Sequence, residues 1–262
     1  MAGRDLWADV RLSNVDVALL QEARPPRDSG AEDLFPAQDG DWSTSGWPSR
    51  SFRTALARLS SAVSLTPRIS VASDSALVQD QWGVSRSGTI TAADVNVDGV
   101  TPFTAVSVYA PWERTPSGGL YADAAAHRLL SDLSVLMFTR GHRLIVAGDW
   151  NISFGHGEHG DAYYADRYWA VFDRAAAPGL RFVGPQAPAG RQADPPPEEL
   201  PPESLNVPTY HHSRQTPATA TRQLDFLFAS AAIADKVTVT ALNQPEEWGG
   251  SDHCRLLVEV DL

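Results

Sequence analysis

Short apolar runs that stop abruptly at polar clusters constrain this chain more than any other feature. Residues 15–20 (Val-Asp-Val-Ala-Leu-Leu) end in Gln21-Glu22, and the β-rich run 102–109 ends in Tyr109-Ala110-Pro111-Trp112. Residues 143–147 (Arg-Leu-Ile-Val-Ala) lead into Gly148-Asp149-Trp150-Asn151. The run 223–228 carries Asp225, and Ser251-Asp252-His253 comes just before the last run, 255–260. Apolar runs this short, bounded by turn residues, read as buried strands. In α/β folds the sites gather where such strands end.

The segments between the runs fix the class further. Residues 89–97 and 102–109 flank Asp98-Gly99, a strong hairpin signal. Over 121–139, Ala126, Leu129, Leu130, Leu133, Leu136 and Met137 recur at helical spacing, and Gly141 stops that helix. A second helix is expected from Asp161, packing through Tyr164, Tyr168, Val171 and Phe172 and ended by Pro178-Gly179. Residues 28–50, rich in Gly, Ser, Asp and Pro, read as a long surface loop. Residues 185–208 hold eight prolines and four acids against one arginine, which predicts a loop or partly ordered flap that contributes no core. A further strand is expected at 237–242. Hairpins beside alternating strands and helices predict a mixed-sheet α/β architecture, organised as one domain over 1–262 with a Pro-rich loop at 185–208.

Composition excludes several function classes. The chain has 262 residues, 21 basic and 32 acidic, for a net charge of −11. Grip on nucleic acid by bulk positive charge is therefore excluded. Lys236 is the sole lysine and all other basic residues are arginine, which reflects either codon usage or guanidinium recognition of phosphates. With Cys254 as the single cysteine, neither an intrachain disulfide nor a cysteine-rich zinc site is available. No window approaches the roughly 18 apolar residues of a membrane span. The acidic, apolar-poor N-terminus does not read as a secretory signal, so the expected location is cytoplasmic.

Taken in order, Leu20-Gln21-Glu22, Tyr109-Ala110-Pro111-Trp112, Gly148-Asp149-Trp150-Asn151, Gln223-Leu224-Asp225-Phe226 and Ser251-Asp252-His253 resemble the endonuclease/exonuclease/phosphatase superfamily. That group includes pancreatic-type deoxyribonucleases, abasic-site endonucleases, sphingomyelinases and inositol polyphosphate phosphatases. The resemblance spans about residue 15 to the C-terminus. It implies a four-layer α/β sandwich, with two mixed sheets face to face, helices outside and a site at one edge. It also implies a metal-dependent phosphoesterase, foremost a nuclease acting on DNA or RNA. The alternatives are a phosphatase or lipid phosphodiesterase of the same fold, or a catalytically silent binding module. The run Arg-Gln-Leu-Asp-Phe-Leu-Phe lacks the Cys-Asp-Arg pattern of inositol polyphosphate phosphatases.

The resemblance assigns roles by position. Glu22 would bind Mg²⁺ or Mn²⁺, with Asp252 completing the ligand set or holding a second ion. Asp149 would act as the water-positioning base, and Asn151 would donate hydrogen bonds to the phosphate. His253, charged and oriented by Asp225, would contact the phosphate or move a proton. Tyr109 would bond a non-bridging oxygen. Family members usually open with a strand bearing an Asn near the metal. Here 20 residues precede Gln21, and Asn14 stands in a loop-like context, so either the start lies upstream of Met1 or one sheet lacks that strand.

Other residues keep two readings open. Trp112, Trp150, Tyr210 and Trp248 either stack on bases or anchor the core. Arg24 either reaches a phosphate or is solvated, and His211-His212 belongs to a loop that is either substrate-facing or inert. The Gly155–Asp161 loop, with two histidines, reads as a substrate contact, a metal ligand or an inert loop. Cys254, entering an apolar strand, reads as a buried structural thiol.

Overall fold

A seven-stranded mixed sheet and a set of shorter strands stacked on one of its faces organise the computed structural model. It describes residues 6–11, 13–27, 33–37, 39–46, 49–98, 103–114, 120–154 and 161–262. The first strands are β1 (Val17–Ala23), β2 (Asp33–Phe35), β3 (Arg53–Arg58), β4 (Val63–Ala72) and β5 (Gln81–Val84). Next come β6 (Ile90–Val97), β7 (Phe103–Tyr109), the two-residue strands β8 (Glu113–Arg114) and β9 (Leu120–Tyr121), and β10 (Leu144–Asp149). The chain closes with β11 (Leu180–Gly184), β12 (Asp225–Ser230), β13 (Val237–Leu242) and β14 (Arg255–Val260). Helices are α1 (Leu6–Arg11), α2 (Ala122–Leu133) and α3 (Ala162–Ala176). None of them is long and apolar enough to cross a membrane.

The large sheet runs β11–β12–β10–β7–β6–β4–β5. Within it, β10 pairs parallel with β7, the middle strand, and antiparallel with β12, which makes the sheet mixed. β6 and β7 form the expected antiparallel pair, while the turn predicted at Asp98-Gly99 lies partly outside the described residues. Helices α2 and α3 cover one face, where Leu129, Leu133, Val171 and Phe172 pack on Val106, Val146, Phe226 and Phe228. The helix expected over 121–139 is α-helical only to Leu133 and tightens into a 3₁₀ turn at Ser134–Met137. The helix predicted from Asp161 begins there because the Asp161 carboxylate accepts from the Tyr163 N–H and caps it.

The opposite face carries two smaller sheets, β1–β3–β2 and β13–β14. Ala93, Val95 and Ala105 meet Leu56, Val17 and Leu19 there. Beside them Ile145, Ala147, Leu227 and Ala229 meet Val237, Val239 and Val258. Outside β1 and β3, Trp7 of α1 packs edge-on against Trp42 over Ala55 and Ala57. The layers are thus helix, sheet, sheet, helix: the four-layer α/β sandwich. Among the described residues no strand precedes β1, which is an edge strand of its sheet, as β14 is of the other.

Two loop expectations need correction. Residues 28–50 include β2 and bury Trp42, because Asp33, Leu34 and Phe35 pair with β3. Residues 185–208 do contribute core: Val207 is fully buried with Ala220, Ala241, Trp248 and Cys254. Prolines present no N–H to satisfy, and buried side-chain amides take the backbone groups that remain. Gln223 donates to the Pro185 carbonyl (2.7 Å) and accepts from Val207 N–H (2.8 Å). Asn243 accepts from Arg191 N–H (2.7 Å) and donates back to its carbonyl (2.8 Å).

Candidate active site

Strand register builds the site. Asp149, the last residue of β10, stands directly opposite Tyr109 on β7 and Asp225 on β12. In-register neighbours point to the same face of a sheet, so three strands deliver one row of polar groups to one sheet end. Gly148 permits the close pairing, since a Cβ there would lie 1.9 Å from the Val108 carbonyl oxygen. β12 is held by Thr209, whose hydroxyl accepts from the N–H groups of Leu224 and Asp225, both at 3.0 Å.

Glu22 arrives from the second layer. Between Leu20 and Ala23 the pairing of β1 with β3 slips by one residue, a bulge that re-aims Gln21 and Glu22. The Gln21 amide donates to the buried Ser107 hydroxyl of β7 at 2.9 Å, and that hydroxyl donates to the Leu20 carbonyl at 2.8 Å. This clamp ties the bulge to the large sheet. Among the described non-glycine residues, left-handed backbone occurs at Glu22 (φ 50°), Asp80 (66°) and Asn151 (53°). Two of the three are in the site, where such strain gathers in proteins.

Together Glu22, Tyr109, Trp112, Asp149, Asn151, Tyr210, Asp252 and His253 line one cleft of about 710 Å³. His253 Nδ1 lies 2.8 Å from Asp225 Oδ2, and the Tyr210 ring lies 4.9 Å from the imidazole. Asp149 is buried, and both of its oxygens are engaged by Asn151: Oδ1 accepts from its backbone N–H (2.9 Å), Oδ2 from its Nδ2 (2.8 Å). The second Nδ2 hydrogen goes to the Ala110 carbonyl (3.0 Å), so the donation to phosphate expected of Asn151 requires releasing one of these bonds.

Charge follows from crowding. Burial holds the Asp149 carboxyl well above the usual carboxylate range; His253 works against this, while Asp225 and Glu22 add to it. Burial also opposes the His253 cation, yet the adjacent Asp225 charge and hydrogen bond outweigh it and push its pKa up to about 10. The Tyr109 hydroxyl is pushed up by burial, then by Glu22 and Asp149, and stays protonated. Carboxylates that face one another with so little positive charge fit a cation site. Asp149, Asp225 and His253 bring potential ligand atoms within 4.8 Å of one another. The hydrogen bond between Asp225 and His253 already uses part of that set, whereas exposed Glu22 offers carboxylate oxygens suited to a hard ion.

Four other expectations separate. Trp150 is fully buried, edge-on to Phe228 at 5.1 Å, because successive residues at a strand end alternate in direction; it is core and not a substrate platform. Trp248 is likewise core. Arg24 is exposed and absent from the cleft wall, and its carbonyl accepts from the Trp7 indole. His211 turns toward Trp248 (5.5 Å), leaving its neighbour His212 to line the cleft. Cys254 is buried as expected. The loop 155–160 lies outside the described residues. Residues the motifs did not single out also line the cleft: Pro197 and Glu199 from the Pro-rich loop, with Gln215 and Arg222. Nothing in a proline-rich acidic stretch signals that it folds back over a site.

Comparison with solved structures gives the same fold. An AP endonuclease from Leishmania major superposes with a TM-score of 0.61 at 15% identity, covering 98% of this chain and 82% of that one. The endonuclease domain of the telomere-specific non-LTR retrotransposon TRAS1 gives 0.57 at 14% identity, covering 98% and 91%. The Xenopus laevis APE2 catalytic domain gives 0.55 at 14% identity, covering 98% and 88%. None of the curated proteins compared matches the sequence. The family model described as Endonuclease/Exonuclease/phosphatase matches residues 2–253, and the chain belongs to that family.

Proposed function

We propose that this protein is a divalent-metal-dependent phosphodiesterase, using Mg²⁺ or Mn²⁺, that cleaves phosphodiester bonds in nucleic acid. The observation that carries the reading is the in-register row Tyr109–Asp149–Asp225 with His253 paired to Asp225 and Glu22 on the same cleft. The structural neighbours named as endonucleases support nucleic acid as the substrate class.

Glu22, with Asp252 on the same cleft, would hold the cation, which when bound supplies charge neutralisation at the phosphate. Asp149 takes the proton of the attacking water. Its raised affinity for protons brings it toward the operating pH, where a general base is most effective. His253 stays protonated beside Asp225 and donates to a phosphoryl oxygen as negative charge builds there. The protonated Tyr109 hydroxyl adds a donor on the adjacent strand.

A second reading, hydrolysis of a small phosphoester, is favoured by the cleft wall itself. Glu22, Asp149, Glu199 and Asp252 outnumber Arg222 and the protonated His253 there, which is a poor surface for a long polyanion. The test is a panel of bis(p-nitrophenyl) phosphate, p-nitrophenyl phosphate, single-stranded oligonucleotide and plasmid with Mg²⁺ or Mn²⁺. Metal-dependent cleavage of the oligonucleotide or plasmid, abolished by EDTA, is expected. Turnover of the monoester alone selects the second reading, and silence on all four rejects both.

A further inference from the structure

The side-chain amide of Asn151 has every hydrogen-bonding group engaged. Nδ2 donates to Asp149 Oδ2 (2.8 Å) and to the Ala110 carbonyl (3.0 Å), while Oδ1 accepts from the indole Nε1–H of Trp112 (2.7 Å). This set admits a single orientation. A carboxylate and a carbonyl both demand donors and an indole demands an acceptor, so a flipped amide would break all three contacts. The left-handed backbone at Asn151 (φ 53°) lets its own N–H turn back to Asp149 Oδ1 at the same time. Asp149 is therefore held by one residue through two bonds, and that residue is fixed by a third side chain.

Trp112 is well placed to do the fixing. It is half-buried, packs against the core cluster of the large sheet and its helices, and also borders the cleft. The Tyr109-Ala110-Pro111-Trp112 turn supplies both outer anchors of the Asn151 amide, the Ala110 carbonyl and the Trp112 indole. Loss of the indole donor leaves Oδ1 without its partner, and the amide is then held against rotation only through its two Nδ2 bonds. A flipped amide would set Oδ1 against the Asp149 carboxylate.

We propose that Trp112 is a positioning residue: through Asn151, its indole N–H fixes the Asp149 carboxylate in the orientation that receives the proton of the attacking water. The inference rests on the reading of Asp149 given above. It differs from base stacking by Trp112, which would act on substrate affinity and not on the chemical step.

Trp112→Phe keeps an aromatic ring and removes only the donor. With Mn²⁺ and a substrate of the panel that the native protein cleaves, kcat is expected to fall about 10- to 100-fold with KM within about threefold, the scale set by small misplacements of a reacting group. A raised KM at unchanged kcat assigns Trp112 to substrate contact and overturns the proposal. So does a variant with both constants unchanged. Native activity with an unaffected variant rejects this inference alone, whereas a native protein silent on all four substrates of the panel rejects the reading it rests on. A second measurement needs no variant: in the native protein the Trp112 indole proton should exchange with solvent at least tenfold more slowly than a free indole proton. Exchange at the free rate overturns the proposal.

Discussion

His253 Nδ1 lies 2.8 Å from Asp225 Oδ2, an ion pair joining the start of β12 to the segment just before β14. Tyr210 bridges the same join, pairing through its backbone with both Arg222 and His253. The pair therefore holds a cation on the cleft wall. With a folded pKa of about 10 against an ordinary 6.5, its stabilising effect is complete below pH 6.5 and disappears as the pH rises through about 10. Asp225→Asn should lower the His253 imidazole titration midpoint in NMR and flatten that stretch of the stability–pH curve. An unchanged midpoint would mean the carboxylate does not charge the ring.

Divalent cations should stabilise the protein increasingly as the pH rises. The Asp149 carboxyl has its proton affinity raised above the ordinary value of 3.8. Its protonated form thus favours folding at low pH, and that contribution is lost as the pH rises through the raised pKa. A bound cation relieves the repulsion that remains and releases protons on binding. The expected gain in Tm on adding Mn²⁺ is small at pH 5 and larger at pH 8. Glu22→Gln should reduce it at pH 8, and a gain that is equal at both pH values would contradict the charge argument.

Asp149→Ala and His253→Ala should each lower kcat by at least about 10²-fold, the scale of positioned acid–base groups. Glu22→Ala should raise the Mn²⁺ concentration needed for half-maximal rate. Full turnover in either alanine variant of the first pair would overturn its assigned role.

Gly148→Ala should be strongly destabilising, by more than about 3 kcal/mol in urea denaturation, because the added carbon meets the Val108 carbonyl at the centre of the sheet. A cost below about 1 kcal/mol would show that β7 and β10 yield more readily than packed strands do.

Trp150→Ala should cost about 3–5 kcal/mol of stability, the range for deleting a buried aromatic side chain. Substrate KM in the folded fraction should be unchanged, whereas a substrate platform would show the reverse: intact stability and a raised KM.

The polar clusters bordering the apolar strands were legible in the sequence because local chemistry writes them. An apolar run of about six residues can only be buried, and charged residues at its end must stay near solvent or partners. The β6–β7 pair, the helix start at Asp161 and the α/β class followed from the same local rules, whereas the grouping of Glu22, Tyr109, Asp149, Asn151, Asp225, Asp252 and His253 was implied only by the family resemblance. Strands β2, β3, β4, β5 and β11 escaped notice because their burial depends on what packs over them; half of the ten residues of β4 are exposed. Direction and pairing were decided only in three dimensions. Trp150 adjoins Asp149 in the chain yet faces the core, and His211 yields the cleft to His212. The Pro-rich loop becomes a cleft wall because Gln223 and Asn243, distant in sequence, satisfy its backbone. Sequence determines which groups must be hidden and which must stay polar, since solvation is a property of each side chain. Which polar groups face one another is a property of strand register and loop closure, and only the folded chain sets it.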